Sequence, residues 1–207
     1  MRAAAVARYN LRSMTTDTQL IDPADSILVV IDLQPGFLGK LTAERRHAVV
    51  DHCRFIVEVA TRFAIPIFAT VEDVQRNGWT AEPVSACFAS GLPQRDKRIF
   101  GLCSQSDLRD AILAQTRRTA ILIGMDTDVC VLHSSVGLRA TGFRAVIVSD
   151  ATEAPGIARA QGLARAAALG VEIVGPRGLY FEWVRSLEGL AVAEAPPSIA
   201  PPAGLVL

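Results

Sequence analysis

Three side chains that could support nucleophilic catalysis lie far apart in this 207-residue sequence. Asp32 comes near the end of the apolar run SILVVIDL, Lys97 begins the segment KRIF, and Cys130 follows TAILIGMDTDV. A cysteine that attacks a carbonyl carbon must lose its proton, which a carboxylate can accept. A nearby ammonium group stabilises both the carboxylate and the thiolate. These residue types together predict catalysis by Cys130, provided that the fold brings them into one cleft.

The residues before Cys130 predict how its thiol is presented. Residues 119–123 are expected to form an apolar strand, Gly124 a tight turn, and a helix begins at Cys130. A helix N-terminus carries unpaired N–H groups and the positive end of the helix dipole, which favour thiolate over thiol and can hold an oxyanion. The alternative is that Cys130 is a small buried residue behind a strand, as most free cysteines are.

Strands and helices alternate along the chain, which predicts an α/β fold with three layers (α/β/α) and a mainly parallel central sheet. The predicted strands are residues 26–33, 65–70, 97–100, 119–123, 144–150 and 171–174. Besides the helix at Cys130, the predicted helices are residues 42–63, 106–116, 155–169 and 176–187. Asp32 then lies at the carboxyl end of a buried strand, the edge of an open sheet where ligands bind.

Composition excludes several classes of protein. Lys and Arg equal Asp and Glu at 21 each, so no overall positive field would attract nucleic acid or an anionic membrane. No apolar run is long enough to cross a bilayer. The four cysteines contain no C-x-x-C pair and the three histidines show no zinc-site spacing, so we expect reduced thiols, a cytoplasmic location, and neither a metal nor a cofactor.

The two ends of the chain differ in composition from its centre. Residues 1–24 are predicted to be a flexible extension, of which residues 1–12 carry three arginines and no acidic residue, faintly like a transit peptide. Residues 25–188, between them, are predicted to form a single domain. Residues 189–207 are rich in Ala and Pro and are predicted to be a flexible tail.

The sequence resembles the isochorismatase-like cysteine hydrolases, which include nicotinamidases and N-carbamoylsarcosine amidase. The matching segments are VVIDLQPGF, KRIFGLCSQSDL, and GMDTDVCVLHSS followed by GFRAVIVSDATEA. The resemblance implies an Asp-Lys-Cys triad of Asp32, Lys97 and Cys130. It also implies a cis peptide bond between Met125 and Asp126, with the backbone N–H groups of Asp126 and Cys130 directed at the substrate oxygen.

Departures from the family pattern bear on the substrate. Nicotinamidases carry a metal-binding Asp-x-His after the second strand, where this chain has Glu72 and Asp73. We therefore expect no zinc or iron site and no nicotinamidase activity. Besides the triad, four residues are predicted to line the substrate pocket, namely Gln34, Phe37, Trp79 and Phe100. For Trp79, a buried staple or a contact between subunits is an equal alternative.

The expected activity is hydrolysis of a carbon–nitrogen bond, in an amide or carbamoyl group of a small molecule, through a thioester on Cys130. Two alternatives stay open: vinyl-ether hydrolysis of an isochorismate-like acid, in which Asp32 protonates the substrate, and a catalytically idle binding or assembly module. Leu179, Tyr180 and Trp183 on the last predicted helix form an apolar stripe that could pack against a second subunit. We expect a homo-oligomer, a dimer or larger.

Overall fold

The parallel sheet expected from the sequence is present in the structure, a computed structural model that describes residues 19–207. Its six strands are β1 (Ser26–Ile31), β2 (Ile67–Glu72), β3 (Gln94–Lys97), β4 (Thr119–Met125), β5 (Arg144–Glu153) and β6 (Glu172–Val174). Each strand pairs in parallel with its neighbours. The two central strands are buried on both faces, as their unbroken apolar sequences require.

Helices connect the strands and cover both faces of the sheet. They are α1 (Pro35–Leu38), α2 (Ala43–Arg62), α3 (Val74–Asn77), α4 (Glu82–Ser85), α5 (Ser106–Leu113), α6 (Leu132–Ala140), α7 (Ala158–Ala168), α8 (Pro176–Val184) and α9 (Leu187–Ala193). Alternate residues of β1 point to opposite faces. Leu28 and Val30 pack in one core with α2 and α8, whereas Val29 and Ile31 pack in the other with α5 and α6. The predicted three-layer α/β/α fold is therefore confirmed.

The order of strands determines where a ligand site can form. Across the sheet the order is β3-β2-β1-β4-β5-β6, so the direction of chain progression reverses between β1 and β4. In open α/β sheets the loops leave in opposite directions at such a switch point and a crevice opens beyond the carboxyl ends of the strands. Asp32 directly follows β1, and the segment leading to Cys130 directly follows β4.

Five of the six strands end at residues other than those expected. β1 ends at Ile31 rather than Leu33, and β4 ends at Met125 rather than Ile123. β2 continues to Glu72 rather than ending at Thr70, and β3 ends at Lys97 rather than beginning there. The two strands pair in register, with Glu72 opposite Lys97. Polar residues can occupy β3 because it is an edge strand, so neither boundary is marked by an apolar run. β5 likewise passes Asp150 and ends at Glu153.

The last helices belong to the domain core. Leu179, Tyr180 and Trp183 are all buried within the chain, and the Trp183 indole Nε1 donates a hydrogen bond to Ser26 Oγ at 3.1 Å. The prediction that this stripe packs against a second subunit is therefore wrong. The apolar face of α8 covers β1 and α2 of its own chain, which the helical pattern alone could not distinguish from an intersubunit contact.

The ends of the chain bear on the predicted domain limits. The boundary placed at residue 188 falls inside α9, and the Arg62 guanidinium donates hydrogen bonds to the carbonyls of Ala195 and Pro197 beyond it. The flexibility expected of residues 189–207 stays a prediction. Most of the expected N-terminal extension, residues 1–18, lies outside the described residues. In the part of the chain that the structure describes, no helix combines the length and apolarity needed to cross a membrane.

Candidate active site

Asp32 lies at the floor of the crevice and is completely buried. Its Oδ1 accepts a hydrogen bond from Thr70 Oγ1 at 3.0 Å, and its Oδ2 lies 2.6 Å from Lys97 Nζ. The backbone turns sharply here, with φ of +44°, in the left-handed region that few non-glycine residues adopt. The Asp32 N–H nevertheless stays bonded to the Thr70 carbonyl at 3.1 Å, so the carboxylate is held at the end of β1.

Lys97 is the centre of the site. Its side chain has no solvent exposure, and its ammonium lies 2.6 Å from Asp32 Oδ2, 2.9 Å from Glu72 Oε2 and 3.5 Å from Cys130 Sγ. A buried ammonium is tolerated only when opposite charges and hydrogen-bond acceptors surround it. The acceptors come from the carboxyl end of β1, the carboxyl end of β2 and the segment after β4. The fold thus brings Asp32, Lys97 and Cys130 together, although they lie far apart in the sequence.

Glu72 is a member of this cluster that the sequence analysis did not include among the site residues. It is the last residue of β2, its Oε2 contacts Lys97, and the Cys130 thiol donates a hydrogen bond to the same oxygen at 3.3 Å. Its side chain is 18% exposed, whereas those of Asp32 and Lys97 are fully buried. The signal that could have found it is its place after the apolar residues of β2, one residue beyond Val71.

Cys130 lies in a π-helical turn, Thr127–Val131, that precedes α6. The helix therefore begins two residues later than expected, and Cys130 occupies the tight turn that joins it to β4. π-helical turns of this kind are often found at functional sites. Only 2% of Cys130 is exposed, and its Sγ faces Lys97 and Glu72. The Met125–Asp126 peptide bond is cis, as the family resemblance implies.

The surrounding charges keep the proton on the sulfur at rest. Burial raises the pKa of the Cys130 thiol, and the negative charges of Asp32 and Glu72 raise it further against the opposing effect of Lys97. The direction of this shift is opposite to the one expected from the helix terminus. Burial and the two carboxylates raise the pKa of the thiol more than the Lys97 ammonium lowers it, because a further negative charge in a buried cluster costs free energy.

The Asp32 carboxylate and the Lys97 ammonium both have shifted pKa values that suit acid–base catalysis. Burial raises the pKa of Asp32, although Lys97 and the Thr70 hydroxyl act in the opposite direction. For Lys97, burial would lower the pKa, but Asp32, Cys130 and Glu72 outweigh it and the pKa is raised. An acid with a raised pKa is a stronger base when ionised, and a lysine with a raised pKa keeps its charge. The pair therefore combines a proton acceptor with a permanent cation.

The same cluster has the donor atoms of a metal site. Ligand atoms of Asp32, Glu72 and Cys130 all lie within 4.8 Å of one another. However, the Lys97 ammonium approaches the same three side chains, at 2.6 to 3.5 Å. A divalent cation placed among these atoms would lie against that ammonium and be repelled by it. The residues present fit a lysine-centred cluster better than a metal centre.

Gln34 hydrogen-bonds to the main chain beside the cluster. It is fully buried, and its side-chain amide is used by the main chain of the neighbouring segment rather than by the crevice. Its Oε1 accepts from the Glu72 N–H at 2.6 Å, and its Nε2 donates to the carbonyls of Glu72, at 3.1 Å, and of Gly78. These bonds fix the backbone that carries the Glu72 carboxylate. Substrate binding by Gln34 stays a prediction.

The other predicted pocket residues are aromatic and vary in exposure. Phe37 is buried with the Lys40 ammonium 4.5 Å from its ring centroid, while Trp79 and Phe100 are 57% and 52% exposed. The Phe100 and His133 rings form an edge-to-face contact, with 6.3 Å between their centroids. Substrate binding by these three aromatic residues stays a prediction, as does the oxyanion role of the Asp126 and Cys130 N–H groups.

Gly124 allows β1 and β4 to approach at the switch point. Its φ is +119°, and a Cβ atom there would overlap the carbonyl oxygen of Ile31. The register of β4 with β5 also shifts between Leu122 and Gly124. Only glycine combines this backbone conformation with so close a neighbour. The tight turn predicted at Gly124 is thus a strand distortion that places the segment carrying Cys130 beside Asp32.

Comparison with known proteins identifies the family. The model of the Isochorismatase domain matches residues 26–175, which include Asp32, Lys97 and Cys130. The chain therefore belongs to the isochorismatase family, a hydrolase family, and the resemblance drawn from the sequence motifs is confirmed.

Individual relatives are distant in sequence. The secreted isochorismatase effector Isc1 of Phytophthora sojae is 28% identical over 144 residues, which are 68% of this chain and 68% of that protein. MAR1 ribonuclease from Caenorhabditis elegans has a TM-score of 0.77 and 23% identity, covering 91% of this chain and 97% of that chain. The Escherichia coli YcaC gene product, an octameric hydrolase of unknown specificity, has a TM-score of 0.75 and 21% identity, covering 86% and 90%. These structural matches show the shared fold.

Proposed function

We propose that this protein is a cysteine hydrolase that cleaves a carbon–nitrogen bond, in an amide or carbamoyl group of a small molecule, through a thioester on Cys130. The observation that supports it is the contact of one buried ammonium, that of Lys97, with Asp32 Oδ2 and Cys130 Sγ at 2.6 and 3.5 Å. A thiol, a base and a fixed cation within reach of one another meet the requirements of nucleophilic catalysis. If the buried charges of Asp32, Glu72 and Lys97 served only to stabilise the fold, the cluster would not need the thiol of Cys130.

In the first half of the reaction, the Cys130 thiol gives its proton to Asp32 as the sulfur attacks the carbonyl carbon. A carbon–sulfur bond forms and the carbonyl electron pair moves to the oxygen, where the N–H groups of Asp126 and Cys130 would stabilise the negative charge. The electron pair then returns, the carbon–nitrogen bond breaks, and the amine leaves with the proton held by Asp32. Throughout, Lys97 offsets the negative charge on sulfur and carboxylate.

In the second half, water releases the acid. Asp32, again ionised, takes a proton from water as the oxygen attacks the thioester carbonyl. The carbon–sulfur bond breaks, and Asp32 returns the proton to sulfur, which restores the resting thiol. The raised pKa of the Cys130 thiol is consistent with this cycle, because proton transfer is then coupled to attack rather than completed beforehand.

The charge of the site argues against two other substrate classes. Isochorismate-like acids are polyanions and nucleic acids carry a phosphate at each nucleotide, whereas the cluster has the carboxylates of Asp32 and Glu72 around the single ammonium of Lys97. Like charges at short range repel strongly where water is scarce. We therefore propose a small-molecule substrate and no nucleic-acid partner, although MAR1, a structural neighbour, is a ribonuclease.

Ammonia release from a panel of small primary amides and ureas tests the proposal. Cys130→Ala should lower the turnover of any amide substrate about 1,000-fold or more, since catalytic groups that act as a unit fail together. Cys87→Ala is the matched control, because this half-buried thiol lies outside the cluster, and should retain activity. Undiminished turnover by Cys130→Ala would overturn the covalent route, and survival there with loss in Asp32→Asn would indicate vinyl-ether chemistry. If no amide or urea releases ammonia, the idle-module alternative is favoured.

The oligomeric state and the cellular location of the protein are further proposals. We propose a homo-oligomer, which the octameric state of the YcaC relative supports, and light scattering would measure its size. A cytoplasmic location stays a prediction from the unpaired cysteines, and one curated relative is a secreted effector. We also retain residues 25–188 as the proposed extent of the hydrolase domain.

A further inference from the structure

Glu72 forms the accessible side of the catalytic cluster. The side chains of Asp32 and Lys97 have no exposure and Cys130 is 2% exposed, whereas the Glu72 side chain is 18% exposed. Glu72 is therefore the member of the cluster that solvent reaches most. We expect its charge to act on the reacting part of a substrate that approaches from solvent.

One oxygen of Glu72 is available to a ligand. Oε2 accepts hydrogen bonds from both Lys97 and Cys130, while Oε1 has no donor among the described residues. Gln34 and the strand ladder fix the main chain of Glu72, and the contacts with Lys97 and Cys130 hold its carboxylate in place. A fixed acceptor at the mouth of a cleft is suited to bind an N–H group of a substrate.

The charge of Glu72 is not balanced by its neighbours. Lys97 forms its shortest contact, 2.6 Å, with Asp32, so Glu72 is the surplus anion of the cluster. The adjacent cation, Arg98, is paired instead with Asp73 at 3.2 Å and Asp96 at 3.3 Å.

A further carboxylate lies close by. Asp126 Oδ1 is buried without a hydrogen-bond partner in the described part of the chain. Burial raises the pKa of Asp126 to about 6, with Lys40 opposing this and the charges of Asp128, Glu72 and Asp32 adding to it. At neutral pH Asp126 is therefore mostly ionised. The cleft thus carries a local excess of negative charge in a protein whose formal net charge is zero.

We propose that Glu72 is the specificity-determining residue of the cleft and selects substrates with a positively charged nitrogen group, such as an ammonium or guanidinium, beside the scissile amide or carbamoyl bond. This inference rests on the proposed function for the reaction, but the selection itself is a property of the cleft. Substrates that carry a carboxylate at the same place are excluded by repulsion from Glu72.

Alkylation of Cys130 by reagents of different charge tests the selection without any turnover. The reagents are iodoacetamide, which is neutral, iodoacetate, which is anionic, and 2-bromoethylammonium, which is cationic, and mass spectrometry measures the rate at the Cys130 peptide. Ratios between reagents are compared with those for glutathione and between variants. A change in the thiol pKa affects all three reagents alike and cancels in the ratios.

In the wild-type protein, iodoacetate should react with Cys130 more slowly, relative to iodoacetamide, than it does with glutathione. Glu72→Gln should raise the iodoacetate-to-iodoacetamide ratio about tenfold and lower the 2-bromoethylammonium ratio by a similar factor, because one charge at short range is removed. Glu72→Asp keeps the charge and should preserve both ratios. Glu172→Gln, at the opposite edge of the sheet, is the matched control and should change neither.

Unchanged ratios in a Glu72→Gln protein that retains its circular dichroism spectrum would overturn the proposal. Three amides of matched length then extend the test to turnover: β-alaninamide with an ammonium, butanamide with a methyl, and succinamate with a carboxylate. Their kcat/KM values should fall in that order in the wild type and converge in Glu72→Gln. Failure of the wild type to hydrolyse all three would count against the proposed function alone, because the alkylation ratios judge Glu72 independently.

Discussion

Two buried cysteines in this protein occupy regions of opposite character. Cys53 lies on α2 in the apolar layer beneath the sheet, with no solvent exposure, and its thiol donates to the Ala151 carbonyl at 3.1 Å. Cys130 is almost as deeply buried, but an ammonium and a carboxylate contact its sulfur. Burial raises the pKa of both thiols. Neither burial nor pKa direction therefore distinguishes the nucleophile from the structural residue.

The partners of the two thiols make the difference. Among the described residues, the hydrogen-bond partners of Cys53 belong to the main chain and no ionisable base contacts it, so its raised pKa makes it inert. Around Cys130 a carboxylate can take the proton at the moment of attack and Lys97 compensates the charge, so a raised pKa does not prevent reaction. A buried thiol is thus a candidate nucleophile only if its surroundings hold both a base and a cation. Five substitutions test this contrast and the site around Cys130.

Lys97→Met should have the largest effect, because it leaves the carboxylates of Asp32 and Glu72 buried without their cation. We expect a loss of about 3–5 kcal/mol in the free energy of unfolding, as when one partner of a buried ion pair is removed. The change makes the Cys130 region apolar, like that of Cys53, and should abolish turnover. Urea denaturation measures the loss, with Lys40→Met as control.

The pH dependence of that loss follows from its cause. Without the ammonium, the pKa of the Asp32 carboxyl in the folded state rises further above its value in the unfolded chain. Such a group lowers stability progressively as pH rises, so the deficit of Lys97→Met relative to the wild type should be smaller at pH 5 than at pH 8. A deficit that is independent of pH would contradict the assignment of Asp32 and Glu72 as its source.

Gly124→Ala should disturb the approach of β1 and β4 that brings Cys130 beside Asp32. The added methyl meets the Ile31 carbonyl oxygen and φ is +119°, so we expect a loss of about 2–4 kcal/mol from overlap plus backbone strain. Gly142→Ala is the matched control: its φ is +92°, but no atom lies within 4 Å of the new methyl. Equal losses in thermal unfolding of the two variants would show that the close approach does not matter.

Replacing Cys53 by Ala should cost more stability than replacing Cys130, whereas replacing Cys130 should cost more activity. Cys53→Ala removes a sulfur from a packed apolar core and its hydrogen bond, which should cost about 1–2 kcal/mol while leaving turnover in place. Cys130→Ala should cost less stability, because active-site groups are commonly retained for function rather than folding. Urea denaturation and ammonia release measure the two quantities. A larger loss of stability in Cys130→Ala than in Cys53→Ala would reverse the contrast.

Asp126→Asn should have the smallest effect, and a positive one. Burial raises the pKa of Asp126 to about 6, above its value in the unfolded chain, so wild-type stability falls as pH rises from about 4 to about 6. The variant lacks this titration and should be more stable than the wild type by about 1 kcal/mol above pH 6, since the half-buried group is partly screened by solvent. The gain should disappear near pH 4 in parallel denaturation curves.

Much of this architecture is predictable from the sequence. The apolar run of β1, followed by Asp32, defines a buried parallel strand with a carboxylate at its end, and the alternation of elements defines the layers. Once the strands are parallel, residues at their carboxyl ends must meet at one edge, which is why Asp32 and the segment of Cys130 converge. These features depend on local patterns and on general rules of topology.

The part that was not predictable depends on pairing between distant segments. β2 was expected to end at Thr70 because Glu72 and Asp73 are typical of a loop, but the ladder to β3 extends it and carries Glu72 into the site. β3 has the sequence QRDK, which has no apolar pattern because an edge strand needs none. The pKa shift of Cys130 has the opposite direction to the expected one for the same reason, since the helix terminus is visible in the sequence and the surrounding carboxylates are not.

The hydrogen bonds of Gln34 bear on how the specificity of the site can change. The Gln34 amide hydrogen-bonds to the main-chain N–H and carbonyl of residue 72 and not to the Glu72 side chain, which contacts Lys97 and Cys130 instead. These hydrogen bonds therefore do not depend on which side chain residue 72 carries. An amide, an imidazole or an aliphatic group could replace the carboxylate without loosening the strand. A hydrolase with this arrangement can change its substrate specificity by one substitution at position 72, while the main chain at the end of β2 stays in place.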